Sequence, residues 1–215
     1  MKSYNHKPQG TCIVYFYKNI SRMEIDLVWL ALVWILYYSV HSLLLLPSIK
    51  ASLQKTGLSD AAYRLAYTLI SIIGLVLVLG YYRSLPKPTL MTEESELVRI
   101  MAMVLMGGGV YLLWKSLATM SLAEFIGLRS ASKPTLHTEG LYELVRHPMY
   151  FSILLILFGG LMYAPSYAYL LSASLTIVYI YVGATLEEKR LLQQFGKKYE
   201  QYRAKTPMLI PFTSF

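Results

Sequence analysis

The sequence predicts an all-α integral membrane protein of about five transmembrane helices followed by a C-terminal amphipathic helix. Three observations carry this. Of 215 residues, 55% are hydrophobic and only 15% are charged, where a soluble domain carries roughly 25% charged residues. The mean hydropathy is +0.45. The apolar residues also gather in runs of about 20, the length a helix needs to cross the hydrocarbon core of a bilayer.

Ile25 to Leu46 is the first run, with Trp29, Trp34, Tyr37 and Tyr38 inside it. Tyr63 to Tyr82 is the second, and Leu97 to Leu117 the third. The third contains Gly107, Gly108 and Gly109, which in a membrane permit close helix contact. Met149 to Ala164 and Tyr167 to Leu186 are the fourth and fifth; with only Ala164, Pro165 and Ser166 at their junction, they read as an antiparallel hairpin. Between the third and fourth runs lies a polar stretch, Ala118 to His147. After the fifth comes Glu187 to Lys205, whose Leu191, Leu192, Phe195, Tyr199 and Tyr202 recur at spacings of three and four and so share a helix face. Its basic residues place it on a membrane surface.

The net charge of +8 and pI near 9.4 reflect basic loops beside spans rather than a nucleic-acid surface, since no nucleic-acid motif accompanies them. The single Cys12 excludes an intrachain disulfide framework and a cysteine-based zinc site. The four histidines have no metal-ligand spacing, so no metal is expected, and neither is a protein partner. No cleavable signal peptide is evident, because the apolar stretch Thr11 to Tyr17 is short. The tail holds Lys189, Arg190, Lys197, Lys198, Arg203 and Lys205, which predicts a cytoplasmic tail and, with five spans, an outside N-terminus. Lys2, Lys7, Lys18 and Arg22 conflict with that placement. The conflict disappears if the native chain starts at Met23, so the expected organisation is an N-terminal extension over 1–22, three helices over 23–117, and a loop, hairpin and tail unit over 118–215.

The chemistry is expected where the polar stretch becomes the fourth span, at Gly140-Leu141-Tyr142-Glu143-Leu144-Val145-Arg146-His147-Pro148-Met149-Tyr150. Pro148 suits a first helical turn, where its missing N–H costs nothing. Arg146 and His147 then flank a helix N-terminus. Antiparallel packing of spans four and five brings Glu187 and Glu188 back beside them, so Arg146, His147, Tyr150, Glu187 and Glu188 should cluster at one membrane face. Such a cluster could hold a zwitterion such as an amino-acid group, with Arg on carboxylate and Glu on ammonium. Separately, each part has a plainer reading: basic residues snorkelling to the interface, or a solvated helix end. His41 in the first span reads either as a packing histidine or as a substrate-side, proton-handling group.

Arg146-His147-Pro148-Met149-Tyr150, Glu187-Glu188, Phe195-Gly196-Lys197-Lys198-Tyr199-Glu200-Gln201-Tyr202 and Pro207 resemble the ordered motifs of the isoprenylcysteine carboxyl methyltransferase and phospholipid methyltransferase superfamily. His137-Thr138-Glu139-Gly140-Leu141-Tyr142 fits the stretch before them. His41-Ser42-Leu43-Leu44, Lys50, Gly57, Tyr63-Arg64-Leu65-Ala66-Tyr67, Glu124 to Arg129 and Pro207 to Pro211 are similar to bacterial five-span members, the methanethiol S-methyltransferase-like and NnrU-like proteins. Ser152 stands where many members have Gly. The resemblance implies an S-adenosyl-L-methionine-dependent methyltransferase. Its cofactor contacts would be His137, Gly140, Tyr142, His147, Pro148, Tyr150 and Glu188, with Arg146 and Glu187 at the reacting end. It further implies a small or lipid-like acceptor (a thiol, an isoprenylcysteine carboxylate or a phospholipid amine) and a site facing the cytoplasm from a bacterial inner membrane. The alternative is a non-catalytic membrane binding or assembly protein that keeps the fold.

Overall fold

The computed structural model of the chain describes residues 9–90, 95–118 and 135–213, and every regular element among these is a helix. Helix α1 (Gln9–Leu45) is followed by the short α2 (Pro47–Gln54), then α3 (Asp60–Ser84) and α4 (Glu96–Ala118). The four-residue α5 (Leu141–Leu144) leads into α6 (Pro148–Tyr163), α7 (Tyr167–Phe195) and α8 (Lys197–Arg203). Four segments are long and apolar enough to cross a membrane: Ser21–Leu45, Asp60–Ser84, Glu96–Ala118 and Tyr167–Phe195. The fourth expected span, α6, is a shorter apolar helix of 16 residues. Helices suit this setting because each backbone group is bonded within its own segment. Outward-facing side chains such as Leu36, Val76, Leu77, Val104 and Val178 are more than half exposed, the surface lipid requires.

Local chemistry sets the ends. Pro47 opens α2. Ser59 caps α3 by accepting from the Ala62 N–H, and Asp60 in the first turn pairs with Lys50 of α2 at 2.5 Å and with Arg64 at 2.9 Å. Ser166 caps α7 through the Tyr169 N–H. The α6–α7 turn is tied to the α3–α4 connection by the Leu90 N–H on the Pro165 carbonyl, 2.9 Å, so both connections lie at the same end of the bundle.

Side-chain pairs fix the helix directions. Trp34 donates to Ser172 (2.9 Å), Tyr38 to Thr176 (2.7 Å), and Ser42 meets Tyr179 (3.1 Å), so α1 and α7 run parallel. Tyr63 reaches the Leu44 carbonyl and Tyr67 reaches His41, so α3 returns antiparallel to α1. A core of Leu30, Trp34, Val78, Leu85 and Ala168 closes this three-helix side. Helices α4 and α6 pack closely and antiparallel through small residues, with Gly109 against Ser152 and Gly159 against Ala102. Of the glycine triplet, only Gly109 makes this approach; Gly107 and Gly108 face open space.

The expected surface helix over Glu187 to Lys205 is divided. Its first half continues α7 unbroken to Phe195; the chain then turns at Gly196 (φ +53°) into α8. Gly196 permits this because a positive φ costs it nothing. The predicted face survives the turn, since Tyr199 is fully buried and Leu191, Leu192, Phe195 and Tyr202 are half-buried. Glu124 to Arg129 lies outside the described residues. Helix α1 begins at Gln9 and continues without interruption through Met23.

Candidate active site

Glu187 and Glu188 follow the apolar run of α7, and the hairpin returns them beside the start of α6. There His147 is the N-cap residue of α6 and Pro148 its first turn. Three further bonds bring in the tail. The Arg146 N–H donates to the Pro207 carbonyl (2.8 Å), the His147 N–H to the Met208 carbonyl (3.2 Å), and the Tyr202 hydroxyl to the Tyr142 carbonyl (2.6 Å). The tail is thus strapped along the segment that carries Arg146 and His147.

Glu188 is the centre of this knot. Its side chain is 9% exposed and that of Arg146 8%. Arg146 grips it bidentately, Nε on Oε1 and Nη2 on Oε2, both at 2.9 Å. His147 Nε2 meets Oε1 at 2.8 Å, and the Tyr199 hydroxyl donates to it at 2.5 Å. The remaining Arg146 nitrogen, Nη1, donates to the carbonyls of Arg203 and Thr206. A buried ion pair is tolerated when extra hydrogen bonds satisfy both partners, and no buried side-chain polar atom among the described residues lacks one. The Arg146 guanidinium thus makes four donor contacts within the protein, two to Glu188 and two to tail carbonyls.

The adjacent carboxylate is placed differently. Glu187 is 34% exposed, with its Oε2 3.6 Å from His147 Nδ1, and Tyr150 lies beside it. It lines a cavity together with Thr135, His137, Tyr142, Arg146, Tyr150 and Tyr202; His147, Pro148, Leu191 and Tyr199 complete most of the wall. His147 stacks on Tyr150 with ring centroids 5.5 Å apart, and His137 lies over Tyr142 at 5.9 Å. Burial alone would lower the His147 pKa, but hydrogen bonding and charge from Glu187 and Glu188 outweigh it, and the pKa stands above the ordinary 6.5. Burial and the neighbouring Glu188 push the Tyr199 phenol up, so it stays a donor.

Because its folded-state pKa is raised, protonated His147 stabilises the fold fully below about pH 6.5, and that contribution fades as pH rises through the higher folded value. The thermal midpoint of His147→Gln in detergent should therefore fall less than that of wild type across this window. Equal pH slopes in both proteins would show that His147 holds no extra proton.

Of the predicted residues, His137, Tyr142, Arg146, His147, Pro148, Tyr150 and Glu187 share the cavity wall. Glu188 lies behind it, holding Arg146 and His147. Gly140 is not on the wall; it turns the chain into α5 with φ +67°, its N–H donating to Glu143 at 3.3 Å. Tyr199 and Tyr202 are the residues that site reasoning missed. Their spacing on the apolar face of the tail marked them as packing residues, and the same spacing turns both toward the site.

The walls fit S-adenosyl-L-methionine by their chemistry. Glu187 is a partly exposed anion suited to an ammonium or sulfonium group, and the rings of His137, Tyr142, Tyr150 and Tyr202 suit a planar base and a cation.

A family model described as "NnrU protein" matches residues 29–213. Methanethiol S-methyltransferase 1 of Bradyrhizobium diazoefficiens is 31% identical over 69% of this chain and 54% of its own length. Methanethiol S-methyltransferase 2 of the same organism is 31% identical over 80% of this chain and 68% of its own length. Protein-S-isoprenylcysteine O-methyltransferase of Schizosaccharomyces pombe is 33% identical over 44% and 40%, respectively. The chain thus spans about half the length of the first of these relatives. No solved structure matches it.

Proposed function

From the chain's membership of the NnrU protein family, we propose that it is an integral membrane methyltransferase that uses S-adenosyl-L-methionine and acts on a small thiol. The observation that carries the reading is the division of labour between the paired acids. Glu188 is buried and locks Arg146, His147 and Tyr199 into one unit, and Glu187 faces the cavity from that rigid base. A site held by packed, hydrogen-bonded neighbours keeps its geometry without reorganising, which is what positioning catalysis needs.

When bound, the donor supplies an electrophilic methyl carbon on a sulfonium. The residues of this chain bind and orient it. Glu187 takes the ammonium, with Tyr150 at its side. His137, Tyr142 and Tyr202 offer ring faces. Protonated His147, fixed by Glu188, places positive charge near the donor carboxylate. Arg146 acts indirectly, by holding Glu188 and the tail carbonyls in register. The names of two thiol-methylating relatives favour a thiol over a carboxylate or an amine. The six basic residues between Lys189 and Lys205 favour a site on the cytoplasmic face of a bacterial inner membrane, with the bilayer as its main partner.

Titration calorimetry of S-adenosyl-L-methionine into the detergent-purified protein tests this. Saturable binding should weaken more than tenfold in Glu187→Gln, while the variant keeps the thermal midpoint of wild type. No binding by wild type in detergent and in nanodiscs would favour the non-catalytic alternative.

A further inference from the structure

His41 is an ionisable residue within a membrane-spanning helix, a position where such residues are costly and commonly functional. Its ring is held from two sides: Nδ1 lies 3.0 Å from the Ser71 hydroxyl, and Nε2 lies 2.8 Å from the Tyr67 hydroxyl. Both partners come from α3. Tyr37, one turn earlier on α1, lies against the ring at 5.9 Å, and Tyr179 of α7 presents its edge at 6.1 Å. Among the described residues, no acidic or basic side chain is hydrogen-bonded to the imidazole. A hydroxyl can donate or accept. The ring can therefore pass from neutral to protonated by turning one hydroxyl, without losing either bond.

The cluster is joined to the cavity along α7. Glu187, Gly183 and Tyr179 follow at intervals of four, one face of the helix, each step ~6 Å along its axis. At the middle step a glycine leaves room: a Cβ at Gly183 would sit 3.8 Å from the Tyr150 hydroxyl. At the inner step Tyr179 stacks on Tyr38 at 4.1 Å and hydrogen-bonds to Ser42 at 3.1 Å. Polar groups therefore run from the cavity wall into the membrane-spanning part of the protein and end at His41.

We propose that the His41, Tyr67, Ser71 and Tyr179 cluster is the acceptor side of the site, which receives a small thiol from the bilayer and takes its proton. This rests on the methyltransferase reading above. A small thiol dissolves in hydrocarbon, but the thiolate is the nucleophile, and a thiolate cannot form there unless its proton has a holder. The S–H bond breaks and the proton passes to the His41 imidazole, directly or through the Tyr67 hydroxyl. The sulfur pair forms the new S–CH3 bond, the donor's S–CH3 bond breaks, and its electron pair stays on the donor sulfur, neutralising the sulfonium. The imidazolium then passes its proton through the Tyr67 hydroxyl to water at the membrane face, so the net products are the thioether, the neutral donor sulfide and one proton.

The test compares wild type, His41→Gln and Tyr67→Phe for S-adenosyl-L-methionine binding and for transfer to an alkanethiol and to a more acidic aromatic thiol. Donor binding should stay within twofold, which also reports that the variants fold. Transfer from His41→Gln to the alkanethiol at neutral pH should fall about a hundredfold, the range of general-base catalysis. The loss should shrink with the acidic thiol and as pH rises, since a thiol that ionises by itself needs no base. An equal loss on both thiols, or none, overturns the proposal. Wild type that binds the donor yet methylates neither thiol overturns it while leaving the donor site standing; wild type that binds no donor removes the functional reading as well.

Discussion

Glu188→Gln is expected to cost about 3–5 kcal/mol of stability, the loss seen when one partner of a buried ion pair is removed. The carboxylate has four donors on it: two from Arg146, one from His147 and one from Tyr199. An amide of the same shape has one acceptor oxygen, and its NH2 would be turned toward a guanidinium or an imidazole N–H. Arg146 would then be a buried cation with no anion on it, held by one amide oxygen and the carbonyls of Arg203 and Thr206. Tyr199→Phe removes a single donor and should cost less, about 1–3 kcal/mol. Glu187→Gln, at a partly exposed position, should change stability least while weakening donor binding more than tenfold. Thermal midpoints of the three variants in one detergent should rank in that order. A Glu188→Gln protein as stable as wild type would mean that the knot does not hold the helix ends together.

The sequence makes this arrangement legible in outline because its two largest signals are physical. Apolar runs long enough for a bilayer locate the helices, and the three-residue turn at Ala164 to Ser166 forces the end of α7 back to the start of α6. Those two facts place Arg146, His147, Tyr150, Glu187 and Glu188 at one membrane face without further information. What they do not give is which acid points where. Glu187 and Glu188 are adjacent on a helix, about 100° apart, so one faces the packed interior and the other the cavity; the choice depends on the rotation of α7 against α6, set by packing along its whole length. Nor does the one-dimensional pattern separate a tyrosine buried for packing from one buried to donate to a carboxylate, as Tyr199 is. The break at Gly196 was open to view as a glycine, yet the residues on either side keep one apolar face, and a continuous helix satisfied the same periodicity. The position of α6, not its length, differs by one residue: the expected run Met149 to Ala164 and the helix Pro148–Tyr163 each hold 16 residues. Hydropathy sees apolar character as far as Ala164, but the helix stops at Tyr163, where the Ala164 N–H still bonds back to Gly160.

Gly159→Ala is expected to destabilise the protein by about 1–3 kcal/mol, as overpacking does, although the same change in an exposed helix stabilises by up to about 1 kcal/mol. The sign is decided by what the new methyl group meets. At Gly159 it would lie 2.8 Å from the Ala102 carbonyl oxygen and 3.0 Å from the Met106 nitrogen. These are backbone atoms of α4, which cannot rotate away as a side-chain tip can. Gly109→Ala repeats the conflict from the other helix, against the Ser152 carbonyl oxygen at 2.8 Å. Gly107→Ala and Gly108→Ala meet nothing within 4 Å and should leave stability unchanged or slightly raised. The interface reaches the site as well. Ser152, fully buried, bonds back at 2.7 Å to the carbonyl of Pro148, the residue that follows His147. Prising α6 off α4 would move the N-terminus of α6, and with it His147 and Tyr150, away from Glu187. Thermal midpoints and donor affinity should therefore fall together in Gly159→Ala and Gly109→Ala, and in neither of the other two. If Gly107→Ala proved as damaging as Gly109→Ala, the two helices would meet on a different face from the one described.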